Sequence, residues 1–210
     1  MTTSRWCAVV LGACVLGLPS VLLAQACDPA EHYRWCVKLD GSLRDKSATV
    51  VDVSEVLAWK PRNIMRAEKE APRAGRELKV YEVTGWVRRI KKHEDDGDWH
   101  IELTENDDDA VRTCMIVEIP SDDHGAYYGT ARSRLDAILD NEGATLKKNG
   151  DLSDPVQVTF IGAAFFDGYH QKAATSTSKA KASGHGRCNS TIGALWELHP
   201  IYRVMEPDRP

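Results

Sequence analysis

The run Val80–Lys91, with the sequence VYEVTGWVRRIK, is the first of five strand-type segments that decide the fold. The other segments follow in the order 98–105, 112–120, a helix at 130–141, 155–166 and 192–204. Three strands, one helix and two more strands is the order of elements in an OB-fold barrel. The sequence therefore predicts a mainly β protein, with a five-stranded OB-like barrel domain over 80–210 and one helix between its third and fourth strands.

The second strand-type segment has one apolar and one polar face, because side chains alternate along a strand. The apolar face holds Trp99, Ile101 and Leu103, and the polar face holds Asp98, His100, Glu102 and Thr104. OB barrels bind oligonucleotides or oligosaccharides on the face of their second and third strands and on the adjoining loops. We therefore expect the ligand surface of this protein, if it has one, on that side of the barrel.

Residues 1–26 have the organisation of a signal peptide. Arg5 supplies a positive charge, an apolar run covers 6–23, and Ala24-Gln25-Ala26 is a small-x-small cleavage site. The apolar run is also nearly long enough for a membrane anchor, and Cys27 after the cut allows a lipoprotein as a minor alternative. We predict cleavage, export to the periplasm or the medium, and no transmembrane anchor in the remaining chain.

The rest of the 210-residue chain suits one domain and an extension. Residues 27–79 do not match the barrel pattern, and we interpret them as an N-terminal extension with short helices. The formal net charge of the full chain is −4, and the leader would remove one more positive charge. This acidity argues against a general nucleic-acid coat protein, because neutralising phosphates requires clustered Lys and Arg.

Four cysteines follow the leader, and an even number in an exported protein indicates two disulfides. In an OB barrel the third and fifth strands are parallel neighbours, so their starts lie at the same end; this favours Cys114–Cys188 and leaves Cys27–Cys36. A continuous helix from Asp28 would instead place the Cα atoms of Cys27 and Cys36 ~13 Å apart, beyond the reach of a disulfide. Either that helix is short or the pairing is different.

Aromatic and positively charged residues are candidates for ligand contact, because rings and cations together suit single-stranded nucleic acid. These candidates are Trp86, Arg88, Arg89, Trp99, Lys179, Lys181 and Arg187. The alternative for Arg88 and Arg89 is the exposed end of a strand. The alternative for the polar segment 172–186 and its lysines is a solvated insertion.

Acid and imidazole groups recur two residues apart, as Asp98 with His100 and as Glu197 with His199. If the strand faces align, these residues gather with Glu118 and His170. Imidazole and carboxylate together suit zinc or manganese, so the predicted metal residues are Asp98, His100, Glu118, His170 and His199. No other cofactor is predicted. The spacing matches no compact metal motif, and buried structural polar pairs are the alternative.

Five strings resemble, as a set, exported bacterial proteins of uncharacterised function that carry an OB-like domain. They are 83–87 (VTGWV), 96–101 (DGDWHI), 115–120 (MIVEIP), 165–167 (FFD) and 196–201 (WELHPI). The resemblance spans about residues 80–204 and implies a β-barrel and export. It implies no activity and no site residues.

Two functions follow from these observations. The first is an exported OB-type module that binds an oligomeric ligand or a protein partner without catalysis; oligonucleotides, oligosaccharides and envelope proteins are the candidate partners. The second is a metal-dependent hydrolase, with phosphodiesters as one substrate class, that uses Asp98, His100, Glu118 and His199.

Overall fold

The computed structural model describes residues 27–28, 31–92, 94–110, 112–171, 187–188 and 195–207, so the predicted signal peptide lies outside the described residues. The strands are β1 (Ala48–Val50), β2 (Val80–Lys91), β3 (Trp99–Thr104), β4 (Met115–Ile119), β5 (Asp151–Phe166) and β6 (Trp196–Met205). The α-helices are α1 (Trp35–Lys38), α2 (Val53–Leu57) and α3 (Ala126–Asn141).

Five of these strands close into a barrel in the order β2–β3–β4–β6–β5, with β5 returning to β2. The neighbours are antiparallel except for β4 and β6, which are parallel. β2 is long enough to pair with two neighbours: Val80–Val87 pairs with β5, and Trp86–Lys91 pairs with β3. The predicted five-stranded barrel with a helix between its third and fourth strands is confirmed.

Alternation along the strands fills the barrel. Ile101, Leu103 and Val117 point inward and are fully buried, together with Phe160 and Leu198 from the opposite wall. Gly85 lets β2 pass close to β3, because a Cβ at this position would lie 2.7 Å from the carbonyl oxygen of Thr104. The barrel interior is therefore a packed core.

Helix α3 packs Leu135, Ile138 and Leu139 into the core. It begins at Ala126, four residues before the predicted start. The added turn carries Tyr128, which is buried and donates a hydrogen bond from its hydroxyl to the carbonyl oxygen of Leu39. The sequence pattern missed this turn because its contact lies in the distant extension.

The extension contributes a strand that was not predicted. Its β1 strand adds to β2 in parallel, with Ala48 opposite Val80 and Val50 opposite Glu82. The sheet therefore has six strands. Trp59 also packs edge-on against Trp196, with ring centroids 5.5 Å apart.

A buried ion pair fastens the extension to β5. Arg34 is 1% exposed, and its guanidinium binds both carboxylate oxygens of Glu77 at 2.7 and 2.9 Å. Glu77 also accepts a hydrogen bond of 2.8 Å from the backbone N–H of Phe166 at the end of β5. Arg62 contacts the same carboxylate. The two charges are thus satisfied by each other and by the backbone, as buried charges must be.

The structure joins Cys114 to Cys188 and Cys27 to Cys36, with Cα separations of 4.8 and 5.5 Å. Both predicted pairings are confirmed. The conflict with a helix from Asp28 does not arise, because α1 has four residues and begins at Trp35. Within the described ranges, no helix combines the length and apolar character needed to cross a membrane.

Replacing Glu77 with Gln should lower the free energy of unfolding by about 3–5 kcal/mol, because it leaves the Arg34 guanidinium buried without its counter-charge. Urea unfolding measures this change. Glu70→Gln is the matched control in the same extension: Glu70 is exposed, so its replacement should change stability by less than about 0.5 kcal/mol. Equal effects of the two substitutions would contradict the conclusion that Glu77 stabilises the packing of the extension on the barrel.

Candidate functional site

A cleft of about 460 Å³ lies between the outer face of the barrel and the extension. His100 on β3 and Glu118 on β4 line it, and these are the second and third strands of the barrel. The loop between β2 and β3 contributes three acids, and the segment after β5 contributes Asp167, Tyr169 and His170. The extension closes the other side with Tyr33 and Lys38. The cleft therefore uses the strands and the loops with which OB barrels bind ligands.

Glu118 connects the cleft to a deeper layer of polar side chains. Its Oε1 lies 2.8 Å from Nδ1 of His100, and its Oε2 lies 2.8 Å from Nδ1 of His199. Lys38 approaches the same Oε2 to 3.5 Å. One carboxylate thus joins three basic groups from three parts of the chain.

The deeper layer is centred on His199, which is fully buried. Its Nδ1 also lies 3.3 Å from Oε1 of Glu197, and its Nε2 lies 3.1 Å from Oδ2 of Asp98. Asp98 and Glu197 are themselves 0% exposed. The outward-facing positions of β4 and β6 meet here because these strands are parallel neighbours, with Ile116 opposite Glu197.

The charges of this network reinforce one another. Burial by itself raises the pKa of Glu118, but the positive charge of Lys38 and the hydrogen bonds from His100 and His199 hold that pKa well below its usual value. Burial and Lys38 oppose a charged His199, yet its three carboxylate partners raise its pKa well above the ordinary value. Lys38 likewise overcomes its burial, because the surrounding carboxylates, Glu118 first, raise its pKa. The charged forms of Lys38, Glu118 and His199 therefore stabilise one another.

A second carboxylate–imidazole pair lies on the same cleft. Nδ1 of His170 is 2.6 Å from Oδ2 of Asp167. Of the five predicted metal residues, the structure joins Asp98, His100, Glu118 and His199 in one chain of contacts. It places His170 in this separate pair on the cleft wall.

Lys38 and Asp167 belong to the site but were not predicted from the sequence. Lys38 lies in the extension, 80 positions from Glu118, and no local pattern connects the two. Asp167 lies three residues before His170, and this spacing is the signal that could have identified it. Glu197 was recognised as the partner of His199 but was not among the predicted metal residues.

The predicted ligand-contact residues do not form one surface. Trp99 faces the barrel interior and is 8% exposed, with Nζ of Lys92 at 4.2 Å from its ring centroid. It is therefore a core residue, as its alternation with Ile101 requires, and a role in ligand contact stays a prediction. Arg88 donates to the carbonyl oxygen of Asp107. Trp86 is half-buried on the outer side of β2.

Arg89 and Arg187 serve a different cluster, around the fully buried Glu102. Arg187 binds Oε2 of Glu102 through Nε and Nη2 at 2.9 and 2.8 Å, and it also contacts Asp151 at 2.7 Å. Arg89 lies 3.4 Å from Oε1 of the same carboxylate. These arginines therefore satisfy a buried acid beside the Cys114–Cys188 disulfide. Lys179 and Lys181 lie outside the described residues.

Comparison with known proteins adds little to this picture. No family model matches the sequence, and no curated protein matches it. Among solved structures, an OBody, AM3L09, bound to hen egg-white lysozyme aligns with 72% of this chain and with its own full length. The sequence identity is 11% and the TM-score is 0.29, and at that level of similarity the match carries no argument.

Replacing Glu118 with Gln should destabilise the protein by about 3 kcal/mol, because Lys38 and His199 lose their shared counter-charge in a buried position. For a chain of this size the melting temperature should fall by roughly 6–12 °C, measurable by calorimetry. Glu31→Gln is the control, since Glu31 lines the same cleft but is exposed. A melting temperature that is equally insensitive to both changes would show that Glu118 does not hold the network together.

Proposed function

We propose that the protein is an exported, OB-type binding module whose ligand occupies the cleft. The observation that carries the proposal is the position of this cleft on the second and third barrel strands and on the loops that follow the first and fourth. The two disulfides support the exported location, because such bonds persist in oxidising compartments.

The charge of the cleft favours a neutral ligand over a polyanion. Its lining includes three lysines, Lys38, Lys69 and Lys91, against six carboxylates. A phosphate backbone requires the opposite balance. An oligosaccharide suits the cleft better, because carboxylates and imidazoles hydrogen-bond hydroxyl groups and the partly exposed ring of Tyr169 offers apolar surface.

Tyr169 provides a direct test of oligosaccharide binding. It is 38% exposed on the cleft wall, and its ring packs at 5.8 Å from that of Tyr33. With neutral cello-, malto- and chito-oligosaccharides of two to six units as probes, Tyr169→Ala should weaken the Kd of any binder about tenfold, since loss of an aromatic contact costs on the order of 1.4 kcal/mol. Isothermal titration calorimetry measures this change.

Met205→Ala is the matched control, because Met205 is also 38% exposed but lies on β6 away from the cleft lining. Its Kd should equal that of the wild type. If the wild-type protein binds none of the oligosaccharides but binds oligothymidine at 0.15 M salt, the oligosaccharide proposal is wrong and the oligonucleotide alternative replaces it.

A hydrolase acting in the same cleft is the second candidate. Two imidazoles, His100 and His170, are each held through Nδ1 by a carboxylate. A neutral imidazole that donates a proton from Nδ1 carries its basic lone pair on Nε2, which is the form a general base requires. This arrangement favours hydrolysis of a bound oligosaccharide or phosphodiester over other chemistries.

Hydrolysis can be tested with the same oligosaccharides and with bis(p-nitrophenyl) phosphate, by chromatography and by absorbance. If His100 is the base, His100→Gln should lower the rate at least about 100-fold. His124→Gln, at an exposed position outside the cleft lining, should leave it unchanged. A wild-type protein that converts neither substrate class would eliminate this candidate and leave the binding module.

A further inference from the structure

We propose that Asp98, Glu118 and His199 form a binding site for one divalent transition-metal ion, zinc or manganese, beneath the cleft. The inference goes beyond ligand binding in the cleft and does not depend on it. It concerns the layer of side chains behind Glu118.

Three separate strands bring the donor atoms together. Asp98 directly precedes β3, Glu118 belongs to β4 and His199 belongs to β6. One ligand atom from each residue lies within 4.8 Å of the others, and all three residues are buried. Two ligands of a tetrahedral zinc ion at ~2.1 Å are separated by about 3.4 Å. A metal ion uses one nitrogen of an imidazole, and Glu118 lies 2.8 Å from Nδ1 of His199 whereas Asp98 lies 3.1 Å from Nε2. The limit that applies to the three donor atoms together is therefore 4.8 Å, which includes the separation that a tetrahedral ion requires.

Asp98 provides an independent observation. Its carboxylate is 0% exposed, and within the described part of the chain neither of its oxygens accepts a hydrogen bond of acceptable geometry. Its Oδ2 nevertheless points toward the centre of the cluster, 3.1 Å from Nε2 of His199. A desolvated carboxylate costs several kcal/mol unless a cation or hydrogen bonds offset it. In the metal-free protein the ion pair with His199 offsets this cost, and a metal ion that displaces the proton of His199 would take over the same role.

The electrostatics of the layer favour a dication. Three carboxylates, those of Asp98, Glu118 and Glu197, lie within 3.3 Å of the ring nitrogens of His199. An imidazolium at this position brings one positive charge to three negative groups. A divalent ion that binds one nitrogen of the ring, after His199 has released its proton, brings two positive charges to the carboxylates of Asp98 and Glu118.

The surroundings fix these donors in place. The Oε1 of Glu118 is held by His100 at 2.8 Å, which leaves Oε2 directed at the cluster. Arg132 donates to the carbonyl oxygens of Gly97 and Ile119, next to Asp98 and Glu118 in the chain. Partners that orient the ligands are a regular feature of metal sites. The donor set of one imidazole and two carboxylates selects zinc or manganese over calcium and magnesium.

The test is metal titration of the purified protein after chelator treatment and dialysis. Zinc or manganese should bind with a stoichiometry of one, measured by calorimetry and by elemental analysis after gel filtration. Bound metal at 100 times its Kd should shift the folding equilibrium about 100-fold toward the native state, seen as a rise in melting temperature. Magnesium and calcium should produce neither effect at the same concentration.

Asp98→Asn keeps the shape of the side chain and should weaken zinc binding at least about tenfold. Asp167→Asn is the control, since Asp167 is a buried carboxylate on the same cleft that is not one of the three donors; its zinc affinity should be unchanged. If Asp98→Asn does not fold, the binding of Co²⁺ to the wild-type protein is measured instead. The wild type should bind one Co²⁺ with the intense visible absorption of a four-coordinate ion, whereas the weak absorption of a six-coordinate aquo ion indicates surface binding.

Substoichiometric binding of every metal, or equal zinc affinity in wild type and Asp98→Asn, would overturn the site. Oligosaccharide titration of the metal-free protein separates this outcome from the proposed function. Retained oligosaccharide binding without metal binding rejects the metal site alone, and metal binding without oligosaccharide binding rejects the binding module alone.

Discussion

The parallel pairing of β4 with β6 is the contact on which both the barrel and its candidate site depend. It closes the sheet, and its register places Ile116 beside Glu197 and Val117 beside Leu198. One residue further along, Glu118 and His199 point to the same outer side and meet at 2.8 Å. Because side chains alternate along a strand, a shift of either strand by one residue would turn its own charged group inward, into an apolar core that cannot hold it.

The extension covers part of the outer face of the barrel. Residues 31–79 pack on the face that open OB barrels present to solvent, and two arginines bind this extension to the barrel. Arg34 binds Glu77 and the end of β5, while Arg73 donates to the carbonyl oxygens of Val37, Ala164 and His199. The cleft is the space between the extension and the barrel. Its shape therefore depends on charged contacts that are themselves buried, and less on the barrel alone.

Local patterns in the sequence predicted the parts of the structure that local physics controls. Alternation in 98–105 placed Trp99 inside and His100 outside, and the parallel strand starts predicted the Cys114–Cys188 bridge. The gathering of Asp98, His100, Glu118 and His199 was foreseen only as a condition on how the faces align. Lys38 and the Arg34–Glu77 pair were not foreseen, because contacts between residues 43 to 80 positions apart leave no periodic signal. Trp99 is buried in the core, as the alternation of apolar residues in this segment predicts.

The attachment of Arg187 and Cys188 to the barrel has a consequence for how this chain tolerates change in length. The described residues before 172 end with Asp167 and His170 packed on the cleft, and those after 186 begin with an ion pair to Glu102 and a disulfide to Cys114. Both ends of the intervening segment are thus fixed by contacts that do not involve it. A change in the length of the chain between 171 and 187 therefore leaves the contacts of both anchors unchanged.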